Sequence, residues 1–174
     1  MPAKEQFIAL LGGLGIEVKT AFVPWSQSRN KHEKHPSLNW RYSLIRKGKE
    51  FLSGDYFAGH GHCPSYSQVL SVDGAEAVQQ ECETGRTCFP GTLRKGQPIR
   101  LDTVDLFESL LLDAGAIDYA TFEDWAADYG YDVDSRKAEA IYKECLRIGL
   151  ALRVGFGNDN FELARELIEK SHDD

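Results

Sequence analysis

The chain is poor in sulfur and in long apolar runs, and each shortage excludes something. Four cysteines in 174 residues cannot make a disulfide-stapled scaffold. They include no Cys-x-x-Cys pair and match no zinc-module spacing. No stretch approaches the roughly 18 consecutive apolar residues that a membrane-spanning helix needs. The opening MPAKEQFIALLGGLGIEV lacks the charged start, long apolar stretch and small-residue cleavage site of a secretory signal, so a cytoplasmic location is expected. There is no Gly-x-Ser-x-Gly elbow for a nucleophile. Gly12-Gly13-Leu14-Gly15 precedes a strand instead of following one and opening a helix, the wrong order for a nucleotide-binding loop. No catalytic motif and no cofactor are therefore expected.

What remains is a globular balance, 42% hydrophobic and 27% charged, in a length that suits one domain, or a small domain with an appended helical module. The net charge of -7 is unevenly spread. Residues 1–100 hold 13 Lys+Arg against 9 Asp+Glu, whereas residues 101–174 hold 7 against 18. The break falls in the Gly-, Pro- and cation-rich stretch Arg86 to Arg100. The expected organisation is a mixed α/β-sheet subdomain over 1–88, a linker over 89–101 and an acidic helical subdomain over 102–174. A globally acidic chain is a poor non-specific ligand for phosphate backbones, while its acidic half can attract a basic partner. The same acids also suit a solvated helical surface that binds nothing.

The N-terminal half reads as an α+β unit in the order α-β-β-β-α. Phe7, Ile8, Leu10, Leu11 and Leu14 form a helical stripe over Lys4 to Leu14, and Gly15 suits a C-terminal cap. Ile16, Val18, Thr20 and Phe22 alternate with polar or small residues as in a half-buried strand. Asn39 to Ile45 and Glu50 to Ala58 predict a hairpin turning at Lys47-Gly48, with Trp40, Tyr42 and Leu44 inward and Arg41, Ser43 and Ile45 outward. A helix is expected over Asp73 to Glu83. The order is shared with double-stranded-RNA-binding domains. Their Lys-rich start to the last helix is replaced here by Cys63-Pro64-Ser65-Tyr66-Ser67, which removes the main energy source for RNA.

The C-terminal half predicts a compact helical bundle. Asp102 to Asp105 reads as a capping box before Leu106, Phe107, Leu110 and Leu111. Thr121 opens a short helix that Gly130 ends. Asp134 or Ser135 caps a third helix with Ala138, Ile141, Tyr142, Cys145, Leu146, Ile148, Leu150 and Leu152 inward, stopped by Gly155 and Gly157. A last helix starts at Asp159 with Phe161, Ala164, Leu167 and Ile168 inward.

The segment TFEDWAADYGYDVDSRKAEAIYKEC, Thr121 to Cys145, resembles one recurrent near the C-terminus of uncharacterised phage and mobile-element accessory proteins. VPWSQSRN, Val23 to Asn30, and the PSLNWRYSL hairpin resemble parts of the same family. The resemblance implies a small phage or prophage accessory protein and carries no catalytic activity with it. Proteins of that size and charge in that setting include inhibitors of bacterial defence, anti-CRISPR proteins among them. The implied partner is a host protein, a defence-complex subunit.

Several constellations could carry binding or chemistry. In the long loop Pro24 to Ser37, Trp25, Arg29 and Asn30 offer an aromatic anchor, a forked donor and an amide, residue types suited to interfaces and to base stacking. Trp25 could equally plug a sheet edge. Asp113, Asp118, Glu123, Asp124 and Asp128 are the acids expected on solvent faces of the helical half, able to mimic nucleic acid toward a basic surface. The alternative is a nucleic-acid-binding module over residues 24–58, using Arg41, Arg46, Lys47 and Lys49 with Tyr56 for stacking. His60 and His62 lie on one face of any strand and, with Cys63, Cys82 and Cys88, are weak zinc candidates; no metal is expected. Asp128, Asp132, Asp134 and Glu139 follow an EF-hand-like count, but Gly130 and Val133 stand where an oxygen ligand and a turn glycine are needed. Helix capping explains the same acids.

Overall fold

The computed structural model describes residues 1–23, 38–58, 70–72, 75–77 and 103–174. They form an α+β fold with an N-terminal helix α1 (Ala3–Leu14), a three-stranded antiparallel sheet and C-terminal helices. The sheet runs β1 (Ile16–Val23), β2 (Leu38–Arg46) and β3 (Lys49–Ala58) in the order β1-β2-β3. Helices α2 (Thr103–Ala114), α3 (Phe122–Tyr129), α4 (Arg136–Phe156) and α5 (Asn158–Lys170) follow, with a 3₁₀ turn Gly115–Asp118 after α2.

Local chemistry accounts for most of these boundaries. Gly15 caps α1 in the left-handed conformation and hands the chain directly to β1. Along β1, Ile16 is buried, Val18 and Thr20 are half-buried, and Glu17 and Lys19 are exposed, as the alternation predicts. Lys47 and Gly48 both take positive φ, 54° and 74°, as a two-residue primed hairpin turn requires. Tyr42 and Leu44 point into the core and Arg41 out of it.

Ser135, not Asp134, caps α4: the Ala138 amide donates to Ser135 Oγ at 3.2 Å. Gly157 ends that helix, but Gly155 lies inside it. A Cβ at Gly155 would overlap the Phe51 ring, so glycine there allows a close approach and is no stop signal. Gly149, also within α4, would place a Cβ 2.8 Å from the Ala114 carbonyl oxygen.

Other expectations change. Ile8 and Leu150, read as inward, are 46% and 47% exposed, because the buried stripes of α1 and α4 are narrower than the apolar pattern. The helix expected over Asp73 to Glu83 is replaced at Ala75–Ala77 by a strand, β5, paired antiparallel with β4 (Leu70–Val72). Asp102, the expected cap of α2, lies outside the described residues.

The chain divides into two compact units. One, residues 1–17, 44–52 and 102–174, is discontinuous in sequence, joining α1 and the turn end of the hairpin to the C-terminal helices. Its core contains Phe7, Phe107, Phe156 and Phe161, all fully buried. Phe7 meets Phe107 edge-on at 5.1 Å, and Phe107 meets Phe156 at 5.9 Å, spacings at which aromatic rings attract. Phe161, Ala164, Leu167 and Ile168 of α5 are buried, as their spacing predicts. The other unit comprises residues 18–43 and 53–101; in it Tyr42 covers Gly54, where a Cβ would lie 2.8 Å from the tyrosine hydroxyl.

Candidate functional site

Helix α3 and the turn behind it build an aromatic shelf. Thr121 Oγ1 accepts from the Asp124 amide at 3.2 Å and starts the helix, and Gly130, at φ 73°, ends it in the left-handed conformation. That cap turns the chain back on itself, so the Tyr131 amide donates to the Ala126 carbonyl at 2.8 Å. The Tyr131 ring is thereby laid flat on Trp125, 5.1 Å between centroids at 8°. Tyr129 and Tyr142 approach Trp125 at 5.3 and 5.2 Å, and Phe122 lies 6.1 Å away. Trp125 is buried, but Tyr129, Tyr131 and Val133 remain 49%, 41% and 48% exposed. Large apolar groups are thus half-presented to solvent above a packed floor.

Carboxylates border this shelf. Glu123, Asp124, Asp128, Asp132 and Asp134 are exposed, and among the described residues none is ion-paired. Residues 101–135 contain ten Asp+Glu and no Lys, Arg or His. The Tyr119 hydroxyl donates to Asp128, and that bond holds its phenol proton up to about 12. The Asp134 amide donates to Asp132 Oδ1 at 2.9 Å, a local turn that orients the Asp132 side chain.

The expected acids divide three ways. Glu123, Asp124 and Asp128 stand in solvent as anticipated. Asp118 is exposed but committed, its carboxylate gripped by Arg165 at 2.6 Å. Asp113, expected on a solvent face, is half-buried on α2. Burial, and then the neighbouring Glu144 carboxylate, push its acid up from the usual value. Glu144 itself is held down by its hydrogen bond to Arg147. Burial likewise pushes the Cys145 thiol up to about 11, so it is no nucleophile at neutral pH.

Among the cations of the hairpin, Arg46 has internal partners. Arg46, a nucleic-acid contact only in the alternative reading, is partly buried: its Nε donates to the Leu14 carbonyl at 3.0 Å and its terminal nitrogen to the Gly155 carbonyl at 2.7 Å. Its charge and fork are spent on the last turns of α1 and α4, where carbonyls lack helical partners. Arg41 stands 3.8 Å from Asp55. Lys47 and Lys49 are exposed at and beside the turn. Tyr56 is placed only as backbone of β3.

Trp25, Arg29, Asn30, His60, His62 and Cys63 lie outside the described residues, as do Cys82 and Cys88. Among the described residues, no group of three or more His, Cys, Asp or Glu is arranged to hold a metal ion; of the EF-hand-like acids, Asp132 accepts the Asp134 amide in the turn and Glu139 lies in the first turn of α4. Among the same residues no helix is long and apolar enough to cross a membrane. No family model, curated protein or solved structure matches the chain.

Proposed function

We propose that this chain is a phage-encoded binding protein that acts in the host cytoplasm and inhibits a host defence complex, in the manner of anti-CRISPR proteins. It docks its acidic C-terminal helices on a nucleic-acid-binding subunit. The observation that carries the reading is the aromatic shelf of Trp125, Tyr129 and Tyr131 on a helix and turn whose exposed carboxylates form no salt bridge among the described residues. Half-exposed tyrosines on a rigid floor are the side chains that dominate interface energetics. An uncompensated acidic border repels phosphate and steers a basic protein surface into contact. The resemblance of Thr121 to Cys145 to phage accessory proteins supplies the setting.

The test uses purified chain with nuclease-treated host lysate, followed by displacement of a labelled oligonucleotide from any retained complex. The wild-type chain is expected to retain its partner after nuclease, to displace the oligonucleotide and to weaken steeply with salt. The variant combining Glu123→Gln, Asp124→Asn, Asp128→Asn, Asp132→Asn and Asp134→Asn should lose most of that affinity. Retention unchanged by these five substitutions overturns the docking mode. Capture that vanishes with nuclease instead points to nucleic-acid binding through Lys47 and Lys49.

A further inference from the structure

We infer that the shelf around Trp125 is an arginine-recognising surface, and that its occupant is an arginine-rich segment of the partner protein. The inference rests on the docking role proposed above and names what that partner must carry. Tyr129 and Tyr131 present exposed ring surface; Asp128 lies at the same C-terminal end of α3, Asp132 and Asp134 lie in the turn that follows, and Asp124 stands in the first turn of the helix.

A guanidinium can use both features at once. Its flat face stacks on an aromatic ring while its edge donates two parallel bonds to a carboxylate. A lysine ammonium is a compact, strongly hydrated charge that must give up water to approach a ring and has no fork to offer. Phosphate groups are repelled by the same border.

The molecule already contains this arrangement in closed form. Arg165 lies with its guanidinium carbon 4.8 Å from the Phe161 ring centre. Its two terminal nitrogens donate to the two oxygens of Asp118 at 2.6 and 3.3 Å. Asp118 directly precedes Tyr119, whose ring lies 6.2 Å from Tyr129 and whose hydroxyl donates to Asp128. An arginine from within the chain thus satisfies one edge of the acidic helical surface, while the rings and carboxylates of the shelf have no internal arginine among the described residues.

Fluorescence anisotropy with labelled nona-arginine and nona-lysine peptides, titrated into the full chain at low salt, tests the inference. With a cation–π contact at an exposed ring, nona-arginine is expected to bind roughly two- to fivefold more tightly than nona-lysine. The double variant Tyr129→Leu, Tyr131→Leu should bring the two peptides to equal affinity, and the five-amide variant should lose both. Ring resonances of Tyr129 and Tyr131 in the wild-type chain should shift on adding nona-arginine, a readout that needs no variant. Equal affinity for the two peptides, or tyrosine rings that do not respond, overturns arginine recognition and leaves acidic docking standing. Failure of both peptides to bind at low salt overturns both readings together.

Discussion

Replacing Arg46 with Met removes a charge and a fork while keeping an unbranched side chain of similar reach. The wild-type guanidinium donates to the carbonyls of Leu14 and Gly155 at 3.0 and 2.7 Å. Hydrogen bonds to a charged group are each worth about 1.5–3 kcal/mol when one partner is deleted. Because Arg46 is only partly buried, and water can reach part of what it leaves behind, the expected loss is at the lower end, about 2–4 kcal/mol for the pair. A cation near two helix C-termini adds roughly 0.3–1 kcal/mol at each. Arg46→Lys keeps that charge but offers a single donor point, so it should recover about half of the loss. Urea unfolding followed by circular dichroism reads the effect. With a slope of about 2 kcal/mol per molar, mid-range for proteins of this class, the midpoint of Arg46→Met should fall by about 1–2 M. A fall of less than about 0.5 kcal/mol, or a lysine variant no better than methionine, would refute the argument that the fork ties α1 to α4.

Other perturbations test separate parts of the account. Gly155→Ala forces a methyl into the Phe51 ring and should cost about 1–3 kcal/mol, read as a thermal midpoint lowered by about 2–4 °C per kcal/mol. Ser135→Ala deletes the cap of α4 and should cost about 1 kcal/mol, whereas Asp134→Ala, which removes no cap, should cost less in the same melt. Asp113→Asn should stabilise the chain at neutral pH. The Asp113 acid is raised in the folded state, so its favourable contribution is full at low pH and is lost as pH rises through the folded value; the gap over wild type should open across the acidic range and then level off. Ultraviolet titration of Tyr119, isolated by difference against Tyr119→Phe, should give a value near 12, and Asp128→Asn should move it down toward the ordinary phenol value. A Tyr119 titration unmoved by Asp128→Asn would show that the hydroxyl–carboxylate bond does not form.

What could be read from the chain was what local chemistry decides. The Thr121 cap, the left-handed Gly15 and Gly130, and the Lys47-Gly48 turn are set by residues within a few positions of one another and stand where their signals placed them, and the α4 cap falls on Ser135, one of the two candidates. The inward positions of α5 follow from periodicity alone. Misreadings arise where a distant segment decides. Gly155 resembles a helix stop until the Phe51 ring is set against it. Arg46 looks like a free cation until its bond to the Gly155 carbonyl, 109 residues on, is in place. Asp113 has the periodicity of a surface acid, yet burial and Glu144 raise it.

At the candidate site, the acids were visible as charge, but totals over half the chain dilute their concentration. The run without a cation from residue 101 to 135 was the sharper signal. The shelf itself was hidden. Tyr131 lies outside α3 and reaches Trp125 only because the Gly130 cap folds the chain back, a consequence that helical periodicity does not express.

The central claim is that the acidic shelf on α3 is a docking surface for a basic protein. The most direct measurement is competition between the chain and a labelled oligonucleotide for the partner retained from nuclease-treated lysate, made over a salt series with the wild-type chain and the five-amide variant. Wild type should displace the oligonucleotide and lose affinity steeply with salt, and the variant should interact weakly and almost independently of salt. Equal displacement by both chains at every salt concentration would contradict the claim.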